Sequence, residues 1–470
     1  MSWMRRIALA ALCALSLVGC GGSTSGSATG TASGAEVAPA DALAFVSIDT
    51  DRSSSQWKQG DALLEKFPIR KRLVAEIERA LAEEGVSFSR DVLPALGPEL
   101  DIVVLKGASG TGPQVVGMTQ PRDEQKLEAL LGKSKERTYR TKVGDWTVFS
   151  DTQQALDAIT KRDGNLSDSS EFANAMGELP EAANAKAYVN GSSVRSVLPT
   201  TATGPLPVGS LEWLSLGLSS EDAGWKLGGA WKSTEDSGVN SFEPTLLDKA
   251  PAGSLVVASF KGNDQAFTQL RDAPGAQEYL GQLQQALGVG FDDLTRLFSD
   301  EGVLYVQKSA PLPEVTLILK EKDASAAMRT VNTLAARAAT LLRVQLTETN
   351  AAGTVKKLSF DRFAIYYGID DGNLVVSDSI APFGRKVDST IEDDPVFEEA
   401  KDTAGLPDES AGFAYVNVQE LVPVVEGFAQ VSGATVPLDM SANLAPLQSF
   451  LTYATAADDV SKFGALLRVR

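Results

Sequence analysis

The tetrapeptide Ala-Tyr-Val-Asn occurs twice, at Ala187–Asn190 and at Ala414–Asn417. The spacing of 227 residues recurs between Ser150-Asp151 and Ser377-Asp378, and again between Leu179-Pro180 and Leu406-Pro407. With small shifts the register extends outward. "PADALAFVSI" from Pro39 parallels "PAGSLVVASF" from Pro251, and "ELDIVVLK" from Glu99 parallels "EGVLYVQK" from Glu301. Near the ends, Lys226-Leu227-Gly228 parallels Lys462-Phe463-Gly464. Repeats fix the domain count before any other reading, and a period of roughly 200 residues means two similar lobes rather than a solenoid. The expected boundaries are a first lobe over 38–235, a linker over 236–247 and a second lobe over 248–470.

Each lobe reads alike. Ala44–Ile48 is an apolar strand, followed by a helix with Leu73, Ile77 and Leu81 on one face and Gly85 beyond its end. Its counterpart carries Leu280, Leu283 and Leu287 and stops at Gly288. Strands at Ile102–Leu105 and Gln114–Met118 precede a helix over Asp123–Leu131, whose partner over Asp323–Arg343 is longer and alanine-rich. Hairpins are expected around Gly144-Asp145 and around Asp370-Asp371-Gly372-Asn373. Strand pairs with tight turns, interleaved with helices, predict an α+β class: two tandem lobes, each a mostly antiparallel sheet with packed helices.

The N-terminus reads differently. Arg5 and Arg6 precede an apolar run from Ile7 to Val18, too short to span a bilayer but suited to a signal peptide. The run ends in Leu17-Val18-Gly19-Cys20, which resembles the lipobox of bacterial lipoproteins. That resemblance implies a signal peptide over 1–19 and a diacylglyceryl group on Cys20. Two acyl chains anchor a protein stably, whereas one does so only marginally. Residues 20–37 would follow as a Gly/Ser/Thr/Ala tether with a reach of about 20–25 Å. The expected location is the extracytoplasmic side of a cell membrane.

Composition then excludes chemistries. The chain contains no histidine, which removes Ser-His-Asp and Cys-His catalysis and His-ligated zinc. Its two cysteines are Cys13, inside the signal, and Cys20, so no disulfide is expected in the body. A formal charge of −18 disfavours nucleic acid and anionic lipid headgroups. It suits a solvated exterior, with an acidic docking face for a basic partner as the sharper alternative.

Several motifs invite a catalytic reading and resist it. "LLGKS", Leu130–Ser134, ends like a phosphate-binding loop but lacks the first glycine, since position 127 is Leu, and it closes a helix instead of opening one. Ser55 and Lys58 have Ser-x-x-Lys spacing, but no Lys-Thr-Gly follows, and Ser53–Ser55 before Trp57 suits a helix N-cap. Asp151 and Asp378 are matched acids of the kind glycoside hydrolysis uses in pairs. Each follows a strand and precedes a possible helix, which predicts an N-cap instead. Asn190 and Asn417 are expected to cap the helices that follow them. The acidic loops "DGN" and "EDDP" lack the order of a calcium loop. No metal, cofactor or catalytic residue is assigned.

The first lobe also carries Pro39-Ala40-Asp41 opening a strand, Lys66-Phe67-Pro68 closing a helix, and Leu96-Gly97 before an apolar strand. This pattern resembles the bacterial envelope family known as domain of unknown function 3352. The second lobe keeps Pro251-Ala252 but lacks Lys-Phe-Pro. The resemblance implies membrane-attached extracytoplasmic proteins without an assigned activity, and no catalytic residues. The expected function is a lipid-anchored, non-enzymatic binding or adaptor protein, held to the membrane through Cys20, with a protein or cell-wall partner. Two alternatives stand beside it. A carrier or sensor of an apolar ligand would show an apolar cavity of several hundred Å³. A histidine-independent hydrolase would show acids or a Ser-Lys pair converging in a cleft.

Overall fold

The computed structural model describes residues 32–107, 112–134, 137–197, 210–235, 238–273, 275–310, 312–349, 355–361, 363–431, 437–457 and 459–470. Cys20, the signal segment and residues 20–31 of the tether lie outside the described residues. Two compact units are present. Of the described residues, the first comprises those within 32–235, 437–446 and 459–470, and the second those within 238–431 and 447–457.

In the first unit the strands are β1 (Ala44–Asp49), β2 (Glu99–Leu105), β3 (Gln114–Thr119), β4 (Tyr139–Val143), β5 (Trp146–Ser150), β6 (Ala185–Asn190), β7 (Leu211–Glu221) and β8 (Gly224–Ser233). In the second they are β9 (Val256–Lys261), β10 (Glu301–Gln307), β11 (Glu314–Lys320), β12 (Gln345–Thr349), β13 (Val355–Ser359), β14 (Ala364–Asp370), β15 (Asn373–Ser377), β16 (Gly412–Val416) and β17 (Leu447–Ala457). A last strand, β18 (Val460–Val469), belongs to the first unit. Every pairing described below is antiparallel. The first unit runs β4-β5-β3-β2-β1-β6-β7-β8-β18, and the second β12-β13-β14-β15-β11-β10-β9-β16-β17. The α+β class and the duplicated plan are therefore both present. The second copy adds the hairpin β12–β13, between its long helix Ala324–Leu342 and β14.

The C-terminal strand departs from a simple division at residue 235. β18 is the repeat counterpart of β8 and pairs with it, Val460 opposite Lys232 through Arg468 opposite Gly224. Gly228 lies opposite Gly464, its own counterpart in the repeat. A strand whose sequence complements its own copy satisfies an otherwise open sheet edge.

Pleating sends alternate residues to opposite faces. On one face of the first unit, Phe45, Val103, Met118 and Val148 pack with Ala155, Leu156 and Ile159 of the helix Gln153–Thr160. On the other, Leu100 and Phe149 meet Leu81, Leu127, Leu130 and Leu131 from the helices Arg70–Ala82 and Glu124–Gly132. The helix Arg70–Ala82 is followed by Gly85 at φ +71°, and Ala276–Leu287 by Gly288 at φ +78°. The hairpin between β14 and β15 turns through Asp371 and Gly372, both at positive φ, the backbone that a two-residue turn of matching twist requires.

The repeated tetrapeptide is a folding module. Tyr188 and Tyr415 are fully buried, each edge-on to a phenylalanine from the preceding helix: Phe172 at 5.1 Å and Phe397 at 5.0 Å between ring centres. Asn190 Oδ1 accepts from Ser193 N at 3.0 Å and Asn417 Oδ1 from Glu420 N at 3.1 Å, so both asparagines cap the next helix as expected. Ala187 and Val189 are only partly buried, because alternation gives the core face to Lys186, Tyr188 and Asn190.

Candidate functional site

The residues singled out in sequence scatter into structural roles. Ser54 caps the helix Ser55–Glu65: its Oγ accepts from Trp57 N at 3.1 Å and donates to Asp49 Oδ2 at 2.6 Å. Ser55 and Lys58 are exposed on that helix. Gly132 is the last residue of its helix, and Lys133 Nζ donates to Gly85 O at 3.0 Å and meets Asp91 Oδ2 at 2.6 Å. Asp393 and Asp394 of "EDDP" close a capping box with Thr390 and cap the helix Pro395–Ala404. Among the described residues no group of three or more His, Cys, Asp or Glu is arranged to hold a metal ion.

The expectation that Asp151 and Asp378 are helix N-caps is corrected. Thr152 caps the helix Gln153–Thr160, accepting from Ala155 N at 3.3 Å, and Asp151 is exposed. Asp378 accepts from Val315 N at 2.9 Å, and no helix follows it before residue 391. The duplicated element is the serine beside each. Ser150 Oγ donates to Val115 O at 2.8 Å and Ser377 Oγ to Val315 O at 3.0 Å. The two hydroxyls pin the ends of β5 and β15 to their neighbouring strands.

A second duplicated device was not recognised from sequence. Glu99 and Glu301, the first residues of the aligned "ELDIVVLK" and "EGVLYVQK", are both buried and both hold the chain that precedes the first strand of their lobe. Glu99 accepts from Ala32 N, Ser33 Oγ and Ser47 Oγ, each at 2.9 Å. Glu301 accepts from Thr245 N and Leu246 N at 2.6 Å and from Thr245 Oγ1 at 2.5 Å. Buried carboxylates need such donors. This clasp, with Ala35 and Ala38 buried, draws residues 32–37 into the folded body, although their composition reads as tether.

The first unit adds an acid cluster around Glu99. Asp101, opposite Ser47 in β1, has no counterpart in the second lobe, where Val303 stands. Its carboxyl is fully buried and faces Glu99, Ser47 and Gly34 N without a hydrogen bond of good geometry. Burial first, then the Glu99 carboxylate beside it, holds its pKa well above the ordinary range. A Cβ at Gly34 would fall 1.8 Å from Asp101 Oδ2, so glycine is required there. Asp49, at the end of β1, is pushed up to about 6, chiefly by burial and against the hydrogen bond from Ser54. These acids are all buried.

The second unit holds a cavity of about 540 Å³. Tyr305, Ile318 and Val375, from β10, β11 and β15, border it and are themselves buried. Its walls are Asp248-Lys249, the turn Asp370-Asp371 with Asn373, and a strap from Pro382 to Asp388. The registers identify its counterpart in the first unit. Val103 precedes Leu105 in β2 as Tyr305 precedes Gln307 in β10; Met118 lies opposite Val148 as Ile318 lies opposite Val375. In the first unit these three positions are sealed by Ala155, Leu156 and Ile159. After β15 the chain instead passes Pro382 and Gly384, the latter at φ +72°, and forms no helix before 391. The strap is tied at both ends. Gly384 N donates to Asp370 Oδ1 at 3.2 Å, Arg385 pairs with Glu314 at 3.1 Å, Ala252 N donates to Ser389 O at 2.9 Å, and Ile391 is fully buried. The helix of one copy is thus replaced in the other by an irregular strap beside a cavity, while Tyr305, Ile318 and Val375 themselves stay buried.

A duplicated, antiparallel α+β chain with a cavity in its second copy is the class of protein defined by this geometry. The chain belongs to the family described as protein of unknown function DUF3352, which matches residues 6–151 and 123–469. No curated protein matches it. Among solved structures, crystal form IV of TP0453 is similar at 13% identity, covering 45% of this chain and 75% of that one, with a TM-score of 0.23. Crystal form III of TP0453 gives 14% identity, 48% and 80% coverage, and a TM-score of 0.23.

Proposed function

We propose that the chain is a lipid-anchored, extracytoplasmic envelope protein that binds a ligand in its second lobe and performs no chemistry on it. The observation that carries the binding reading is the cavity between the turn Asp370-Asp371 and the strap from Pro382 to Asp388, in the place where the sister lobe packs a helix. Its volume falls within the range of small-molecule sites. Seven of its fifteen lining residues are charged, which disfavours the carrier of a purely apolar ligand. The exposed Ser55 and Lys58 and the structural role of Asp378 give a hydrolase no support. The anchoring reading rests on Leu17–Cys20 and the tether after it. Among the described residues no helix is long and apolar enough to cross a membrane.

Metabolic labelling with a clickable fatty acid tests the anchor. Wild type takes up label and sediments with membranes, whereas Cys20→Ala does neither. An unlabelled wild type, or a Cys20→Ala variant that stays membrane-bound, refutes it.

A further inference from the structure

We propose that the clasp on residues 32–37 is a pH-operated latch, which seats that segment on the first unit at mildly acidic pH and lifts it as pH rises. One buried carboxyl lies directly under the segment. Asp101 is fully buried, its two oxygens make no hydrogen bond of good geometry among the described residues, and a Cβ at Gly34 would fall 1.8 Å from Oδ2. Beside it, Glu99 accepts from Ala32 N and Ser33 Oγ of the same segment and from Ser47 Oγ. The strand registers fix what else shares that face. Ser47 of β1 lies opposite Asp101 on one side and Lys186 of β6 on the other, Asp49 lies opposite Glu99, and Met118 of β3 lies opposite Asp101. Lys186 Nζ donates to Glu181 O at 2.8 Å. Glu36, on the segment itself, is exposed, and Arg162 donates to its carbonyl oxygen at 3.4 Å.

While the segment is seated, burial first and the Glu99 carboxylate next keep the proton on Asp101. Lifting the segment admits water, and Asp101 then ionises near the ordinary 3.8. Between 3.8 and its raised value the seated state therefore holds one proton more than the lifted one. Lifting becomes easier by up to about tenfold per pH unit across that window. Asp49, raised to about 6, acts in the same direction below that value, and Lys186, lowered chiefly by burial, acts in the opposite direction above its own. Neither is removed by a substitution at Asp101, which isolates the share of that residue.

The sister lobe carries the clasp without the switch. Glu301 holds Thr245 and Leu246, Lys320 Nζ lies 3.7 Å from Glu301 Oε2, and the fully buried Val303 stands where the first lobe has Asp101. Its grip is expected to be indifferent to pH over the same range. Lifting in the first lobe adds residues 32–37 to the chain that follows Cys20, up to about 20 Å when extended. That lengthening rests on the reading of Cys20 as the anchor, whereas the latch itself does not.

The experiment is hydrogen exchange read by mass spectrometry on the full chain in detergent at pH 5, 6 and 7, with rates corrected for the intrinsic pH dependence of exchange. Peptides over 32–38 report the first clasp and peptides over 243–249 the second. Two variants accompany the wild type: Asp101→Val, which copies the sister lobe, and Asp101→Asn, which keeps the shape. Protection of 32–38 in the wild type is expected to fall by at least roughly tenfold from pH 5 to pH 7, while that of 243–249 stays level. Both variants should flatten the response of 32–38. If 32–38 loses no more protection than 243–249 in the wild type, the latch is refuted, and that comparison decides even where a variant fails to fold. If the response of 32–38 persists in the folded variants, Asp101 is not the switch and the proposal falls.

Discussion

Replacing Asp49 by Asn should stabilise the protein increasingly as pH rises from 4.5 to 7. Asp49 is nearly buried at the end of β1, and its carboxyl titrates at about 6 in the folded chain instead of the ordinary 3.8. The raised value means that the folded state holds the proton more tightly than the unfolded state. Between pH 3.8 and about 6 the native protein therefore carries more protons, and the contribution of this group falls as pH rises through that window. It is most favourable below 3.8 and lost above about 6. A rise of about two pH units at 1.36 kcal/mol each gives a full span of about 3 kcal/mol. Some 1 kcal/mol of it is already lost at pH 4.5 and nearly all at pH 7, so about 2 kcal/mol separates the two conditions. Asn cannot ionise and escapes this loss. The substitution also disturbs the hydrogen bonds from Ser54 Oγ and Asp51 N, a cost independent of pH that cancels in the comparison. Urea unfolding of wild type and Asp49→Asn at the two pH values measures the difference. A stability gap between them that stays constant within about 0.5 kcal/mol refutes the reasoning, because it would mean that Asp49 titrates alike in both states.

Leu156→Ala, in the helix that seals the first unit, should cost about 2–5 kcal/mol in urea unfolding, since Leu156 is fully buried and the cavity left behind cannot collapse completely. A loss below 1 kcal/mol would mean that the first lobe repacks around the missing side chain. Gly97→Ala would place a Cβ 1.9 Å from the carbonyl oxygen of Gln120, so backbone must move and roughly 1–3 kcal/mol should be lost; an unchanged melting temperature would contradict the close approach of these two segments.

Much of this architecture was legible because local chemistry and duplication point the same way. Hydrophobic periodicity located the strands and helices, and glycines marked their ends: Gly85 and Gly288 follow helices at positive φ, and Asp371-Gly372 turn a hairpin. The repeated tetrapeptide identified a shared core, and its asparagines capped helices as their side-chain chemistry demands. The Ser-Asp repeats were visible but pointed to the wrong member. An Asp before a helical pattern invites a cap, yet the next residue, Thr152, takes that place, and the serine is what the fold uses. Glu99 and Glu301 could have been found by asking why an acid opens the matching strand of both lobes. Their donors, Ala32 and Ser33 or Thr245 and Leu246, lie more than fifty residues away in sequence, so no local pattern announces them.

Sequence by itself determined the duplication, the α+β class, the absence of histidine chemistry and the expectation of a lipid on Cys20. These depend on residue identity and spacing along the chain. Tertiary structure alone decided that β18 pairs with β8 in the first unit, that residues 32–37 are clasped by Glu99, and that an irregular strap beside a cavity follows β15 where a helix follows β5. Each of these turns on which segment arrives to cover an edge, clasp a strand or pack beside a face. Burial and backbone pairing reward any suitable partner, and only the folded chain settles which one is within reach.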